Sequence, residues 1–329
     1  MDFWQRFFRR LCLRPALTIA AILLAAEITC RFGFGLGNPP LEIRDPACGY
    51  RFSPSQIVAR FGNRVSYDAN SARGGCADPP SGPVWKTLVI GDSVLDGGSL
   101  TDDRDTATEV LNGLSLALNG RTLRFINLSA GSWAPPQQLG YLNAYGTLGA
   151  DAVVLVLSSH DALGPAKGDK LPFPTQKPWT ATEEVVLRYL LGLRRHLFTS
   201  TSEGWEAAAA KVPSDIEASQ DPTATSIWCL KQIVALCRQK NLPVAVVLWP
   251  TRSEVLNNRW AEPADVLLKA LDAEQVPRID LMSQIRVTPD FEATVYRDDI
   301  HPTVNGQNLV AGAVLQLTLR LDKKERGYR

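Results

Sequence analysis

Histidine is scarce in this chain, with three residues, His160, His196 and His301, among 329. A metal centre built from several histidines is therefore not expected, and any imidazole chemistry must fall on one of three positions. Cysteine is sparse as well; six residues are too few for a disulfide scaffold at this length. Neither sign of charge dominates, since Lys+Arg number 35 and Asp+Glu 34, and no basic run lies beyond the first few residues. Nucleic acid is not expected as a partner. Internal repeats and sustained heptads are missing too. What remains is ordinary globular material, 45% hydrophobic and 21% charged, enough for one large domain or two small ones.

One apolar run stands out. Arg6, Arg9, Arg10 and Arg14 face a single acid, Asp2, and Pro15 to Ala26 then carries no charge. Leu11 to Cys30 reaches the length of about 20 residues that a bilayer needs if Arg14 snorkels and Glu27 sits near the far interface. Basic residues on the N-terminal side put that end in the cytoplasm and the body outside. No small-x-small cleavage site follows, so residues 1–32 are read as a retained, single-pass signal anchor rather than a cleaved signal peptide. An exported body permits disulfides, and Cys48 and Cys76 are the pair placed to form one. Cys229 and Cys237 lie too far apart along one helical pattern to bridge.

Residues 33–84 are rich in Gly, Pro, Asn and Asp and read as an irregular membrane-proximal region. After them, Lys86–Ile90, Leu123–Asn127, Ala152–Leu157 and Pro243–Leu248 are short apolar runs rich in β-branched residues, with Arg278–Leu281 a weaker fifth. Such runs predict buried parallel strands. Helical patterns at 105–119, 136–148, 223–240, 261–274 and 303–320 alternate with them, which predicts an α/β layered domain. Residues 162–222 interrupt the alternation with Pro-rich pieces and one amphipathic helix near 182–199, either a substrate-shaping insertion or a partner surface.

Open α/β sheets bind ligands at the carboxyl ends of their strands, so the residues after each strand are the informative ones. They are Gly91-Asp92-Ser93, then Asn127-Leu128-Ser129-Ala130-Gly131, then Ser158-Ser159-His160-Asp161, and finally Asp298-Asp299-Ile300-His301 before the last helix. A serine nucleophile needs a base, and the base needs an orienting carboxylate. His196 sits among arginines on a helical pattern and reads as a surface or packing residue. His160 ends the third strand on the side where an oxyanion would form. His301 has Asp298 three residues earlier, within reach of its Nδ1. The expected triad is Ser93, His301 and Asp298, with Asp299 the alternative orienter. No Lys-Ser/Thr follows Gly91–Gly98, which excludes a P-loop, and no set of ligands has metal spacing.

These four segments together resemble the SGNH subgroup of the GDSL hydrolases over about Lys86 to Leu319. Gly91-Asp92-Ser93 matches the nucleophile turn, Gly131 the second-block glycine, and Asp298 to His301 the Asp-x-x-His block. The third block departs, because Ser158-Ser159-His160-Asp161 stands where Gly-x-Asn-Asp is expected. The resemblance implies a flavodoxin-like three-layer α/β/α sandwich over residues 85–329, preceded by one transmembrane helix. It also implies an oxyanion hole from the backbone N–H groups of Ser93 and Gly131, with the neutral imidazole of His160 replacing the family asparagine. Arg44-Asp45-Pro46, Gly49-Tyr50-Arg51 and Asn70 to Gly74 are similar to the lead-in of membrane-anchored members associated with bacterial exopolysaccharides. The implied activity is a cofactor-free serine esterase, facing the periplasm or cell exterior from the inner membrane, that removes acyl, above all acetyl, groups from a glycan. Polysaccharide-export or acetylation proteins are the implied partners. An O-acetyltransferase on the same glycan and a non-catalytic glycan-binding subunit of an export assembly are the alternatives.

Overall fold

The computed structural model describes residues 3–75, 82–164, 174–190 and 221–327. Helix α1 (Phe3–Ile28) contains Pro15 and runs on into a π-helical turn, Thr29–Gly33. Pro15–Gly33 comprises 19 residues of mean hydropathy 1.6, long and apolar enough to cross a membrane. Leu17, Ile19, Ile22, Leu23 and Leu24 all stand exposed, so this is not a core helix. A bilayer span and a secretory signal both have this character.

The region expected to be irregular holds two antiparallel hairpins. The first pairs β1 (Glu42–Asp45) with β2 (Gly49–Phe52); the second pairs β3 (Gln56–Arg60) with β4 (Asn63–Tyr67). Phe61 and Gly62 both take positive φ, 52° and 82°, which is the two-residue turn whose twist matches paired strands.

The main sheet contains β5 (Val84–Gly91), which leads into the single helical turn α2 (Ser93–Asp96), then β6 (Ala117–Leu118), β7 (Arg121–Ser129), β8 (Ala152–Leu157), β9 (Val244–Leu248) and β10 (Arg278–Asp280). Their order is β10-β9-β8-β5-β7-β6, parallel throughout except for β6 against β7. All five predicted strands are present, and the sheet is the expected flavodoxin-like one. Alternate residues serve opposite faces, as a period of two requires. Leu88, Ile90, Val153, Leu155, Val246 and Leu248 enter one core; Val89, Val154, Val156, Ala245 and Val247 enter the other.

Helices α3 (Ala107–Gly113) and α4 (Pro135–Tyr145) cover opposite faces. The remaining helices are α5 (Ala181–Glu184), α6 (Pro222–Gln239), α7 (Arg252–Asn257), α8 (Glu262–Ala273), α9 (Met282–Arg286), α10 (Phe291–Thr294) and α11 (Val304–Gly327). Helices α4, α6 and α8 pack on the first core, and α3 and α11 on the second. The helix expected at 105–119 stops at Gly113. Its tail instead forms β6, joined to β7 by Asn119 and Gly120 at φ 53° and 75°.

Residues 174–190 of the insertion dock on the membrane-proximal region. The Glu42 N–H donates to the Pro174 carbonyl at 3.0 Å, and the Gly37 N–H to Glu184 Oε2 at 2.7 Å. Arg60 and Glu184 form a buried pair at 2.6 Å. Glu27, near the end of α1, accepts the N–H groups of Ala181 and Thr182, each at 2.9 Å, and so caps α5. Most of the helix expected near 182–199, with His196, falls outside the described residues, as does Cys76. Its expected partner Cys48 is instead a free, buried thiol whose Sγ donates to the Tyr50 carbonyl at 3.5 Å.

The hairpins are also built into the sheet domain through Arg73, which has no exposed side-chain surface. Its Nε donates to Asp103 at 2.8 Å, its Nη2 to the Thr101 carbonyl at 2.8 Å and its Nη1 to the Gly98 carbonyl at 3.2 Å. The Tyr67 hydroxyl donates to Asp96 at 3.0 Å beside it. A guanidinium is tolerated in such a place because nearly every donor finds an acceptor.

Candidate active site

The strand order reverses between β5 and β8, and the crevice over their carboxyl ends is where this topology places a site. Gly91 closes β5 because nothing larger fits. A Cβ there would lie 2.9 Å from Leu95 Cβ and 3.3 Å from the Val156 carbonyl oxygen. Asp92 then caps α2, accepting the Val94 N–H at 2.9 Å. The chain turns and presents Ser93, half-buried, to the crevice.

His301 arrives from the loop before α11. Asp298 Oδ1 accepts the N–H groups of Ile300 and His301 at 2.9 and 2.8 Å, which folds the carboxylate back over the imidazole. Its Oδ2 lies 2.7 Å from His301 Nδ1, and His301 Nε2 lies 3.0 Å from Ser93 Oγ. With Nδ1 donating to the carboxylate, Nε2 is left to accept the serine proton. Burial works upward on the Asp298 carboxyl, but the two N–H donors and the imidazole outweigh it and hold the group at about 2. It is therefore ionised at any working pH. Asp299 turns away: its carboxylate accepts the Ser253 N–H and hydroxyl at 3.1 and 2.6 Å. The loop is held to the nucleophile turn by Arg297, whose Nη2 donates to the Gly97 carbonyl at 3.0 Å.

Ser93 and His301 open on a cavity of about 610 Å³, whose wall includes Ser132, Trp133, His160, Leu163 and Ile300. Gly131 itself is buried, and its carbonyl accepts the Tyr50 hydroxyl. Ser132 is the exposed member of the pair and takes φ 62°. The Trp133 N–H donates to the Ala130 carbonyl at 3.2 Å, closing a tight turn over Ala130 to Trp133. Among the described residues, the N–H groups of Gly131 and Ser132 donate to no protein acceptor.

His160 lines the cavity, as its place after β8 implies, but its nitrogens are engaged differently from the expectation. Nε2 lies 2.8 Å from the carboxylate of Asp92, and Nδ1 is buried with no hydrogen-bond partner. Asp161 beside it is fully buried, with Oδ2 accepting the Ser158 N–H at 2.7 Å and Oδ1 unpaired. Burial pushes the His160 imidazole down, yet Asp161, Asp92 and Glu254 together raise it to about 9. Burial likewise raises the Asp161 carboxyl. The neighbouring carboxylates thus favour the protonated ring, where a neutral donor was expected. Asp92, His160 and Asp161 also hold one potential ligand atom each within 4.8 Å of one another.

The structure brings Ser93, Asp298 and His301 together. Asp92, Asp161, Tyr50 and Trp133 were not singled out for roles. The first two stand inside the quoted segments, next to Ser93 and His160, and Tyr50 inside the quoted Gly49-Tyr50-Arg51; Trp133 gives no signal that a single sequence would reveal.

The sequence matches no protein-family model and no curated protein. Solved structures of similar outline include a lipase/acylhydrolase from Enterococcus faecalis, 14% identical, covering 72% of this chain and 97% of that one with a TM-score of 0.41. A member of the lipolytic G-D-S-L family from Veillonella parvula is also 14% identical, covering 72% of this chain and all (100%) of the other, TM-score 0.42. A two-domain esterase active on acetylated mannans is 10% identical, covering 73% of this chain and 50% of that one, TM-score 0.44.

Proposed function

We propose that this chain is a serine-dependent esterase that forms an acyl-enzyme on Ser93. The observation that carries the reading is the unbroken relay from Asp298 through His301 to Ser93, at 2.7 and 3.0 Å, opening on a cavity. In this mechanism Ser93 Oγ attacks the ester carbonyl while His301 Nε2 takes its proton. Asp298 stabilises the imidazolium that forms. The new negative oxygen is met by the Ser93 N–H and the free N–H groups of the Gly131–Ser132 turn, with the His160 charge nearby. His301 then protonates the departing alcohol, and in the second half it activates the water that releases the acid. A sugar hydroxyl in place of that water would make the same site an acyltransferase.

The substrate we propose is an acylated, above all acetylated, glycan outside the cytoplasm. Two features support it: the likeness of residues 44–74 to membrane-anchored members tied to exopolysaccharides, and the exposed apolar α1, which as a retained anchor would hold the cavity on the outer side of the inner membrane. Export or acetylation proteins are the partners in this reading. A fluorophosphonate probe applied to the full chain in detergent tests it first. Labelling of wild type but not of Ser93→Ala or His301→Ala is expected, together with hydrolysis of an aryl acetate and release of acetate from an acetylated glycan. An unlabelled wild type that nonetheless binds glycan would mean a non-catalytic module.

A further inference from the structure

We infer that Tyr50, on a hairpin outside the sheet, is a positioning residue of the oxyanion site: its hydroxyl holds the Gly131–Ser132 peptide so that the Ser132 N–H faces the cavity. This rests on the esterase reading above. The chain contains no cis peptide among the described residues, so the Ser132 N–H points opposite to the Gly131 carbonyl. That carbonyl accepts the Tyr50 hydroxyl, while Ser132 lines the cavity and Tyr50 does not. The donor this geometry offers is therefore the N–H of Ser132, one residue beyond the glycine that the resemblance singled out.

The turn over Ala130 to Trp133 explains why such a hold is needed. A four-residue turn can carry its central peptide in either of two orientations. With positive φ at the third residue, the type II arrangement, glycine is the usual occupant. Here that residue is Ser132, at φ 62°. A side chain at that position favours the other arrangement, type I, in which the peptide is reversed. Reversal would turn the Gly131 carbonyl toward Ser93 and take the Ser132 N–H away, so the site would meet a developing oxyanion with a carbonyl oxygen. The Tyr50 hydroxyl opposes this by holding the Gly131 carbonyl in its present orientation.

Tyr50 is itself anchored. It pairs with Arg44 across the first hairpin, and its own carbonyl accepts the Trp133 Nε1–H at 2.9 Å. The clamp thus touches both ends of the turn's second half. Burial, with Glu42 and Asp92 nearby, raises the Tyr50 phenol well above its ordinary value, so it stays a donor over the working pH range. The consequence is that the membrane-proximal region completes the site.

The test compares kcat and KM for an aryl acetate in the full-length protein, for Tyr50→Phe in the wild-type background and in a Ser132→Gly background. In the wild-type background Tyr50→Phe should lower kcat by about 10- to 10²-fold, toward the range of about 10²–10³ for losing one oxyanion donor outright, with KM within about twofold. In the Ser132→Gly background the same change should cost less than about threefold, because glycine accepts positive φ without the clamp. A merely structural role would not be relieved by glycine. Should Tyr50→Phe fail to fold by thermal melting, Trp133→Phe, which releases the other end of the clamp, should show a kcat loss relieved in the same way. Wild-type kcat in Tyr50→Phe, or equal losses in both backgrounds, would overturn the inference while leaving the esterase reading in place. A wild type that neither labels with fluorophosphonate nor hydrolyses esters would overturn both.

Discussion

Replacing Arg73 by methionine removes the charge at the junction of hairpins and sheet while keeping much of its length. Breaking a buried ion pair on one side costs about 3–5 kcal/mol, because the partner is left charged and dry. The structure places the expected value near the lower end. Asp103 keeps the Ser66 N–H and hydroxyl at 3.0 and 2.5 Å, and Asp96 keeps the Tyr67 hydroxyl and the Gly98 N–H, each at 3.0 Å. About 3 kcal/mol is therefore expected in urea unfolding at neutral pH. The loss should depend on pH with a definite sign. Burial raises the Asp96 carboxyl above its ordinary 3.8, with the Arg73 charge opposing, so removing Arg73 raises it further. A carboxyl with a raised folded value binds more protons folded than unfolded, so the variant loses stability as pH rises from about 3.8 and regains it in acid. Wild type and variant should then converge as pH falls. A loss below about 1 kcal/mol, or one that does not shrink in acid, would refute the claim that Arg73 neutralises buried carboxylates.

Three further outcomes are expected. Asp298→Asn should lower kcat by about 10²–10³, less than the 10⁴ known for a buried orienting carboxylate because this one is exposed, and Asp299→Asn at least tenfold less; the reverse order would reassign the orienter. His160 carries a folded value raised from 6.5 to about 9, so its contribution to stability is complete below the lower figure and lost as pH rises through the higher. Melting curves from pH 6 to 10 should fall across that window in wild type, and a flat wild-type curve would count against the raised value. Cys48 and Cys76 would close a loop of roughly 28 residues, worth about 3–4 kcal/mol in the chain-entropy model. Because Cys48 is a free thiol in the structure, peptide mass spectrometry without reductant should find it alkylated, whereas a Cys48–Cys76 crosslink would show that the expected pair forms.

The parts of the molecule legible from sequence are those with a local signal. Runs such as Ala152–Leu157 announce a strand buried on both faces, and the three-residue spacing of Asp298 and His301 reports its own geometry. The hairpins at 42–67 escaped because strands of four or five residues, half-buried, carry little alternation. At β6 the signal was present: Asn119-Gly120 is the strongest two-residue hairpin turn, and it outranks the helical pattern at 105–119. His160 could be placed, but not its charge, since that depends on Asp92, 68 residues away in sequence. Ser132 looked unremarkable because nothing in a sequence reports the sign of φ.

The contact between Glu27 and α5 has a mechanical meaning. A catalytic head on a loose stalk sweeps a hemisphere and samples every angle. Here each carboxylate oxygen at the end of α1 holds a backbone N–H of residues 181–182, and Arg60 with Glu184 ties the same turn to the hairpins. On the proposed reading of α1 as an anchor and a glycan as substrate, this bracing limits the swivel. The mouth of the cavity would then ride near one height above the helix end, and a polymer would be worked on where it threads past at that level. Lateral drift, rather than reorientation, would set which stretch of polymer is reached next.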